Sequence, residues 1–289
     1  MKTIKIIGVP EHFNFPWIQL VQEQPLKEQG YLLEWTDESK GSGAMIKALN
    51  DKEADLAILL TESFIKDKTE SNPGKIIGFH VNSPLTWGIH VPVHSGVNNI
   101  SELSDAPFLI SRYGSGSHLM AFLLAKQNNW DPNKLSFIEV GNMDGAKQSF
   151  EDEKPKAFLW EKYTTKPLVD QGYFKRIGEI PTPWPCFVIV VHQDFLDNEA
   201  EILSQLQQAL YSKSRSLSQL QNLSNSISAA YSIQEEDIKA WLSQTDWALS
   251  SKMDKSTLNK TIDILMELGL INKKLPLEEF VDVNFAELI

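Results

Sequence analysis

The stretch "FLISRYGSGSHLMAFLLA" spans residues 108–125. A short apolar run leads into Ser111-Arg112-Tyr113-Gly114-Ser115-Gly116-Ser117-His118, and an apolar run with helical character follows over residues 119–127. Strand, small-residue turn and helix in that order form the repeating unit of parallel α/β sheets, whose ligands gather outside the carboxyl ends of the strands. The first N–H groups of a helix lack intrahelical partners and carry partial positive charge, so glycines there open a site for an anion or a polar acceptor. Ser115 and Ser117 add hydroxyl donors, or one of them caps the helix. His118 falls in the first turn, where the helix dipole disfavours an imidazolium, and is expected neutral. The competing reading is a glycine-relieved turn with an N-cap and no ligand. The stretch is neither a Walker A loop, since no Gly-Lys-Ser/Thr follows Gly114 at the needed spacing, nor a dinucleotide fingerprint, since the third glycine is missing.

Outward from this stretch the same alternation continues in both directions. "TIKIIGVP" (3–10) reads as a strand, and "PWIQLVQEQPLKEQG" (16–30) as a helix that Pro25 ends or kinks, because proline offers no backbone N–H. "YLLEWTD" (31–37) is a second strand, "GSGAMIKALN" (41–50) a second glycine- and serine-opened helix, and "DLAILLT" (55–61) a short apolar strand. After "GKIIGFHVNSPLTWGIHVPVHSG" (74–96) the cycle restarts with the opening stretch. "LSFIEV" (135–140) and "AFLWE" (157–161) are its further strands, and "GNMDGAKQSFED" (141–152) lies between them as turn and helix. "FKRIGEI" and "PCFVIVVH" read as strands, and from Asn198 the chain is helical, with Ile202, Leu206 and Leu210 on one face. Two α/β cycles in tandem predict two lobes, with bounds at residues 1–89, 90–187 and 188–289, the last returning to the first lobe. The two Gly/Ser helix mouths are expected at the same βα position of each lobe, facing one another.

Composition narrows the function. The 289 residues carry a net charge of −11, with 42% hydrophobic and 22% charged side chains, the profile of a soluble globular chain. Nucleic-acid binding requires clustered Lys and Arg, and no basic stripe is present. No uninterrupted apolar run is long enough to span a bilayer. The lone thiol, Cys186, precludes an intramolecular disulfide and a cysteine-based zinc site. The first residues lack the apolar core and cleavage site of a secretory signal. Read with Met1 as the natural start, the chain is expected in the cytoplasm; a leader removed upstream would make it periplasmic.

In these motifs the chain resembles the type II periplasmic-binding-protein fold, in the branch that holds nitrate-, sulfonate- and taurine-binding proteins and thiamine-pyrimidine-precursor proteins. The resemblance rests on "GSGAMIKALNDKEADLAILLTE" (41–62), "GSGSHLMAFLLA" (114–125), "GNMDGAKQSFEDEKPKAFLWEKY" (141–163) and the helical tail with "LMELGLINKKLPLEEFVDVNF" (265–285). It implies an α/β fold of two lobes, each a mixed sheet covered by helices, with a helical C-terminal region. It further implies a small organic ligand gripped between the lobes, delivery to the membrane component of an ABC transporter, and a monomer. The mechanism it suggests is closure about hinge strands near residues 88–93 and 185–189.

Five loops are expected to converge on that ligand: Glu11, His12, Phe13 and Asn14; Ser42 and Gly43; Thr61 and Glu62; Ser115, Gly116, Ser117 and His118; and Trp160 with Glu161. Trp87, Trp160 and Trp184 are the candidate aromatic platforms. Each has a plainer reading as core, cap or solvated loop; Asp144 is read as an N-cap or a donor's neighbour. Glu11, Glu62, Asp144 and Glu161 would oppose a bare anion, which favours a small polar organic molecule over nitrate. No catalytic residue, metal or cofactor is expected: no G-x-S-x-G elbow and no H-E-x-x-H motif is present, and His90 and His94 read as hinge or surface groups. The alternative is a cytoplasmic biosynthetic enzyme on the same fold, of thiamine-pyrimidine or menaquinone-pathway type. The resemblance to the pyrimidine synthases lacks their cysteine-rich motif, since Cys186 is the only thiol.

Overall fold

The computed structural model describes residues 1–289. Strand β1 (Lys2–Gly8) buries Ile4, Ile6 and Ile7 and is followed by α1 (Phe15–Glu23). Helix α1 carries Pro16 in its first turn and stops at Gln24, whose left-handed φ of 50° turns the chain just before Pro25. Then come β2 (Tyr31–Asp37), α2 (Ser42–Asn50), β3 (Leu56–Leu60), α3 (Thr61–Thr69) and β4 (Lys75–Val81). The second cycle runs β5 (Thr86–Val91), β6 (Phe108–Ile110), α4 (Gly116–Gln127), β7 (Phe137–Glu139), α5 (Met143–Ser149), β8 (Ala157–Glu161), α6 (Lys166–Asp170) and β9 (Lys175–Pro181). The remainder is β10 (Phe187–Val191), α7 (Gln193–Asn198), α8 (Ala200–Leu217), α9 (Leu223–Tyr231), α10 (Glu235–Leu242), β11 (Lys252–Met253), α11 (Lys255–Glu267), α12 (Leu277–Phe280) and β12 (Glu287–Leu288).

The chain divides into two units, Met1–Ser83 with Trp184–Ile289, and Pro84–Pro183. Unit 1 holds a five-stranded sheet ordered β2-β1-β3-β10-β4, in which β1 is parallel to β2 and β3 while β10 runs antiparallel to β3 and β4. Unit 2 repeats this plan as β7-β6-β8-β5-β9, with β6 parallel to β7 and β8 and with β5 antiparallel to β8 and β9. Both sheets are mixed and covered by helices, as the two α/β cycles imply. In unit 1 the central strands are apolar throughout, "LAILL" in β3 and "FVIVV" in β10, because both faces are covered. A short parallel pair, β11 with β12, lies within the helical tail. No helix is long and apolar enough to cross a membrane.

Three expectations need correction. The bounds at 89/90 and 187/188, and the hinge spans 88–93 and 185–189, fall within or beside β5 and β10, which are paired on both edges; the chain crosses at Ser83/Pro84 and Pro183/Trp184 instead. The apolar runs of these strands conceal where the sheet begins. His90 is fully buried in β5, its Nδ1 donating to the Phe158 carbonyl at 3.1 Å, and is neither a hinge nor a surface group. Finally, the two Gly/Ser helix mouths do not occupy the same βα position. Helix α2 follows the edge strand β2, whereas α4 follows β6, which holds the place of β1 in its sheet, so α4 corresponds to α1 and α2 corresponds to α5.

Candidate functional site

In unit 2 the opening stretch resolves into backbone geometry and self-bonding. Gly114 sits at φ 77°, a conformation that disfavours other residues, and reverses the chain ahead of α4. Ser115 is the N-cap, its Oγ accepting the His118 N–H at 3.4 Å. The Ser117 Oγ accepts the Ser111 N–H at 3.0 Å and lies 3.0 Å from the Ser115 Oγ. Gly116 begins the helix, one residue past the cap and three before the apolar run. His118 accepts the Gly114 N–H at Nδ1 (3.1 Å), so that nitrogen is unprotonated, as the neutral reading requires. Its ring lies edge-on to Phe137 at 4.5 Å and Phe122 at 5.0 Å.

Unit 1 shows the same economy. Gly41 takes φ 78° at the entry to α2, and Ser42, buried beside Gly43, accepts the Leu60 N–H at 3.2 Å. At the counterpart of α2, the cap of α5 is Asn142, which accepts the Gly145 N–H at 3.1 Å. Asp144 is therefore inside the helix and not its cap. Asn142 wins because its side chain sits three residues ahead of the N–H it accepts.

Past the exposed Pro10, the loop after β1 is buried. Glu11, His12, Phe13 and Asn14 are each less than a tenth exposed. The Phe13 carbonyl accepts from both His80 Nε2 and Trp247 Nε1, each at 2.8 Å, which fixes His80 with its proton on Nε2. His12 stacks on Phe13 and meets Trp241 edge-on at 4.3 Å and Tyr231 at 6.1 Å. Burial lowers His12 to about 3 and His80 to about 4, so both imidazoles are neutral at physiological pH. Tyr231 and Trp241, from α9 and α10, were not read from sequence as site neighbours. Trp241 follows Ile238 on a buried helical face, but nothing local indicates that this face meets residue 12.

Two corners concentrate the polar chemistry. At the end of β3 the chain enters α3 without a turn, and the Trp184–Cys186 segment fastens it: Thr61 Oγ1 donates to the Pro185 carbonyl at 2.6 Å, and the Thr61 N–H to Cys186 O at 3.0 Å. Glu62 follows, fully buried, with Oε2 accepting the Trp184 Nε1–H at 2.8 Å. Its Oε1 has no partner, and neither has the buried Ser63 Oγ beside it. Burial raises Glu62 to about 7, against the lowering pull of its own backbone N–H and the Trp184 bond.

In unit 2, Glu161 ends β8 opposite Trp87 of β5. Its Oε2 accepts the Tyr163 N–H at 2.9 Å and the Thr164 N–H at 2.6 Å. Burial again raises the acid to about 7, opposed by these backbone bonds. The buried Trp87 Nε1 has no acceptor. Trp160 stacks on Phe158 at 5.3 Å and packs against the core formed by Leu109, Phe150 and Phe174.

The expected residues lie at or near strand ends within each unit: residues 11–14, 42–43, 61–62 and 184 in unit 1, and 87, 115–118 and 160–161 in unit 2. No group of three or more His, Cys, Asp or Glu side chains is gathered for a metal ion. A separate groove of about 450 Å³ among α8, α9, α10 and Trp247 holds none of the expected residues.

Comparison with known proteins places the architecture. Residues 87–180 match the family of Ca3427-like periplasmic binding proteins. The crystal structure of the Candida albicans CA3427 gene product, described as having the generic periplasmic-binding-protein fold, superposes with a TM-score of 0.87 at 26% identity, covering 99% of this chain and 95% of that one. The ligand-binding component of an ABC-type import system from Staphylococcus aureus gives 0.77 at 17% identity, over 98% and 97% of the chains. The alkanesulfonate-binding protein SsuA of Xanthomonas axonopodis pv. citri gives 0.76 at 11%, over 100% and 99%. No functionally curated protein matches the chain.

Proposed function

We propose that this chain, which has the type II periplasmic-binding-protein-like fold, binds a small polar organic molecule without transforming it. The ligand is held at strand ends of the α/β sheets and passed to the membrane component of an ABC-type importer. The observation that carries the reading is a buried, unspent carboxylate oxygen just past a strand end, Glu62 Oε1 in unit 1. Buried polar groups in folded proteins are almost always partnered, and each exception needs a reason. A ligand that offers a donor satisfies this oxygen. The matching architecture of an importer's ligand-binding component and of an alkanesulfonate-binding protein supports the transport role.

The absence of an activated nucleophile favours binding over catalysis. Cys186 is buried, and His12, His80 and His90 are held neutral well below physiological pH by burial. The test is native mass spectrometry of the gently purified chain, followed by incubation of the released molecule with fresh protein. The reading expects a stoichiometric small-molecule adduct recovered unchanged. Conversion of that molecule would overturn the non-catalytic assignment, and no adduct with any extract would overturn ligand binding.

A further inference from the structure

The corner at β3 and α3 says more about the ligand's chemistry. Glu62 is fully buried, and no Lys or Arg pairs with it; its Oε2 accepts the Trp184 Nε1–H at 2.8 Å, and its own backbone N–H also bonds the carboxylate. Oε1 and the adjacent Ser63 Oγ stand unpartnered on successive residues of the first turn of α3. The two sites differ in kind: a carboxylate oxygen accepts only, whereas a hydroxyl donates or accepts. Fixing Oε2 on the indole orients the carboxyl group, and Thr61, bonded twice to the Pro185–Cys186 backbone, fixes the turn that carries it. Once the acid is ionised, above pH 7, what is missing from this corner is a donor, and a buried carboxylate then disfavours any bare anion beside it.

Resting on the small-ligand reading above, we propose that Glu62 Oε1 receives an N–H group of the ligand and that Ser63 Oγ, on the next residue, makes a second contact with it, so that the ligand is an amine or amidine and not a sulfonate or nitrate. The N–H of an amine or amidine satisfies the orphan acceptor and neutralises the acid in one contact. The expected selectivity therefore differs from that in the name of the alkanesulfonate-binding structural neighbour, although the fold is shared.

The experiment is isothermal titration of the full chain at pH 8, where Glu62 is ionised, with benzamidine, 2-aminopyridine, sodium methanesulfonate and sodium nitrate, repeated on Glu62→Gln and Ser63→Ala. At least one N–H probe binds the wild-type chain. Its Kd rises at least tenfold in Glu62→Gln and about threefold in Ser63→Ala, while neither salt binds. Should Glu62→Gln lose its native circular dichroism, the Ser63→Ala titration decides. Binding of a salt with no loss in Glu62→Gln, or of an N–H probe with unchanged Kd in both variants, overturns the assignment and leaves the small-ligand reading standing. Silence with all four probes overturns the assignment alone if a small molecule co-purifies with the chain, and both readings if none does.

Discussion

The two acid-bearing corners occupy the same strand of two sheets built on one plan, yet they spend their carboxylates differently. Glu161 closes β8, the strand between β6 and β5, and gives Oε2 to two backbone N–H groups of its own chain. Glu62, two residues beyond β3, lies next to the corresponding strand between β1 and β10 and gives one oxygen to an indole and the other to nothing. Both are raised to about 7, and burial is the leading cause in each. A perturbed pKa therefore does not separate a structural acid from a ligand-contacting one. The accounting of lone pairs does.

The largest effect expected of this contrast is in the pH dependence of stability. An acid held at about 7 in the folded chain and near 4.5 when unfolded keeps its proton longer on folding, so stability falls as pH rises between those values. For Glu62 the loss is on the order of 3 kcal/mol, complete above pH 7 and absent below pH 4.5. Glu62→Gln is expected to unfold in urea at a higher midpoint than wild type at pH 8 and at a similar midpoint at pH 4.5. A variant no more stable at pH 8 would show that the carboxylate is already compensated in the folded state.

Next in size is the structural acid. Glu161→Ala strips the acceptor from the Tyr163 and Thr164 N–H groups and is expected to lose about 2 kcal/mol relative to Glu161→Gln, which keeps an oxygen there. Paired urea titrations at pH 5, where the acid is largely protonated, compare the two; equal midpoints would contradict the capping role.

Smaller effects belong to the serines. Ser117→Ala and Ser42→Ala each leave a strand-end N–H, of Ser111 and Leu60, without its acceptor, for a loss of about 1–2 kcal/mol. Ser115→Ala removes a helix cap worth about 1 kcal/mol. Differential scanning calorimetry of the three variants ranks them; unchanged melting in Ser42→Ala and Ser117→Ala would return their hydroxyls to ligand contact.

Much of the fold is legible in the residues. The isoleucine run of β1, Pro25 behind α1, the apolar runs of β3 and β10 and the restart at residue 108 each leave a local signature, and together they carry the two-sheet plan. The site is legible only in outline, because strand ends can be located while the partners of a hydroxyl cannot. Ser42 and Ser117 look alike in sequence, yet their helices occupy different positions in the two cycles, and each bonds to a strand end that only the sheet order brings near. The meeting of His12 with Trp241 joins residues far apart in the chain and has no local trace. Likewise, that Glu62 keeps an open oxygen depends on Trp184, which arrives after the whole of unit 2.

The most direct test is hydrogen-exchange mass spectrometry of the full chain with and without the small molecule that co-purifies with it. The account predicts slower amide exchange over residues 60–64 at saturation, with the molecule recovered chemically intact. Unaltered exchange across that segment at saturation, or recovery of a transformed molecule, would contradict it.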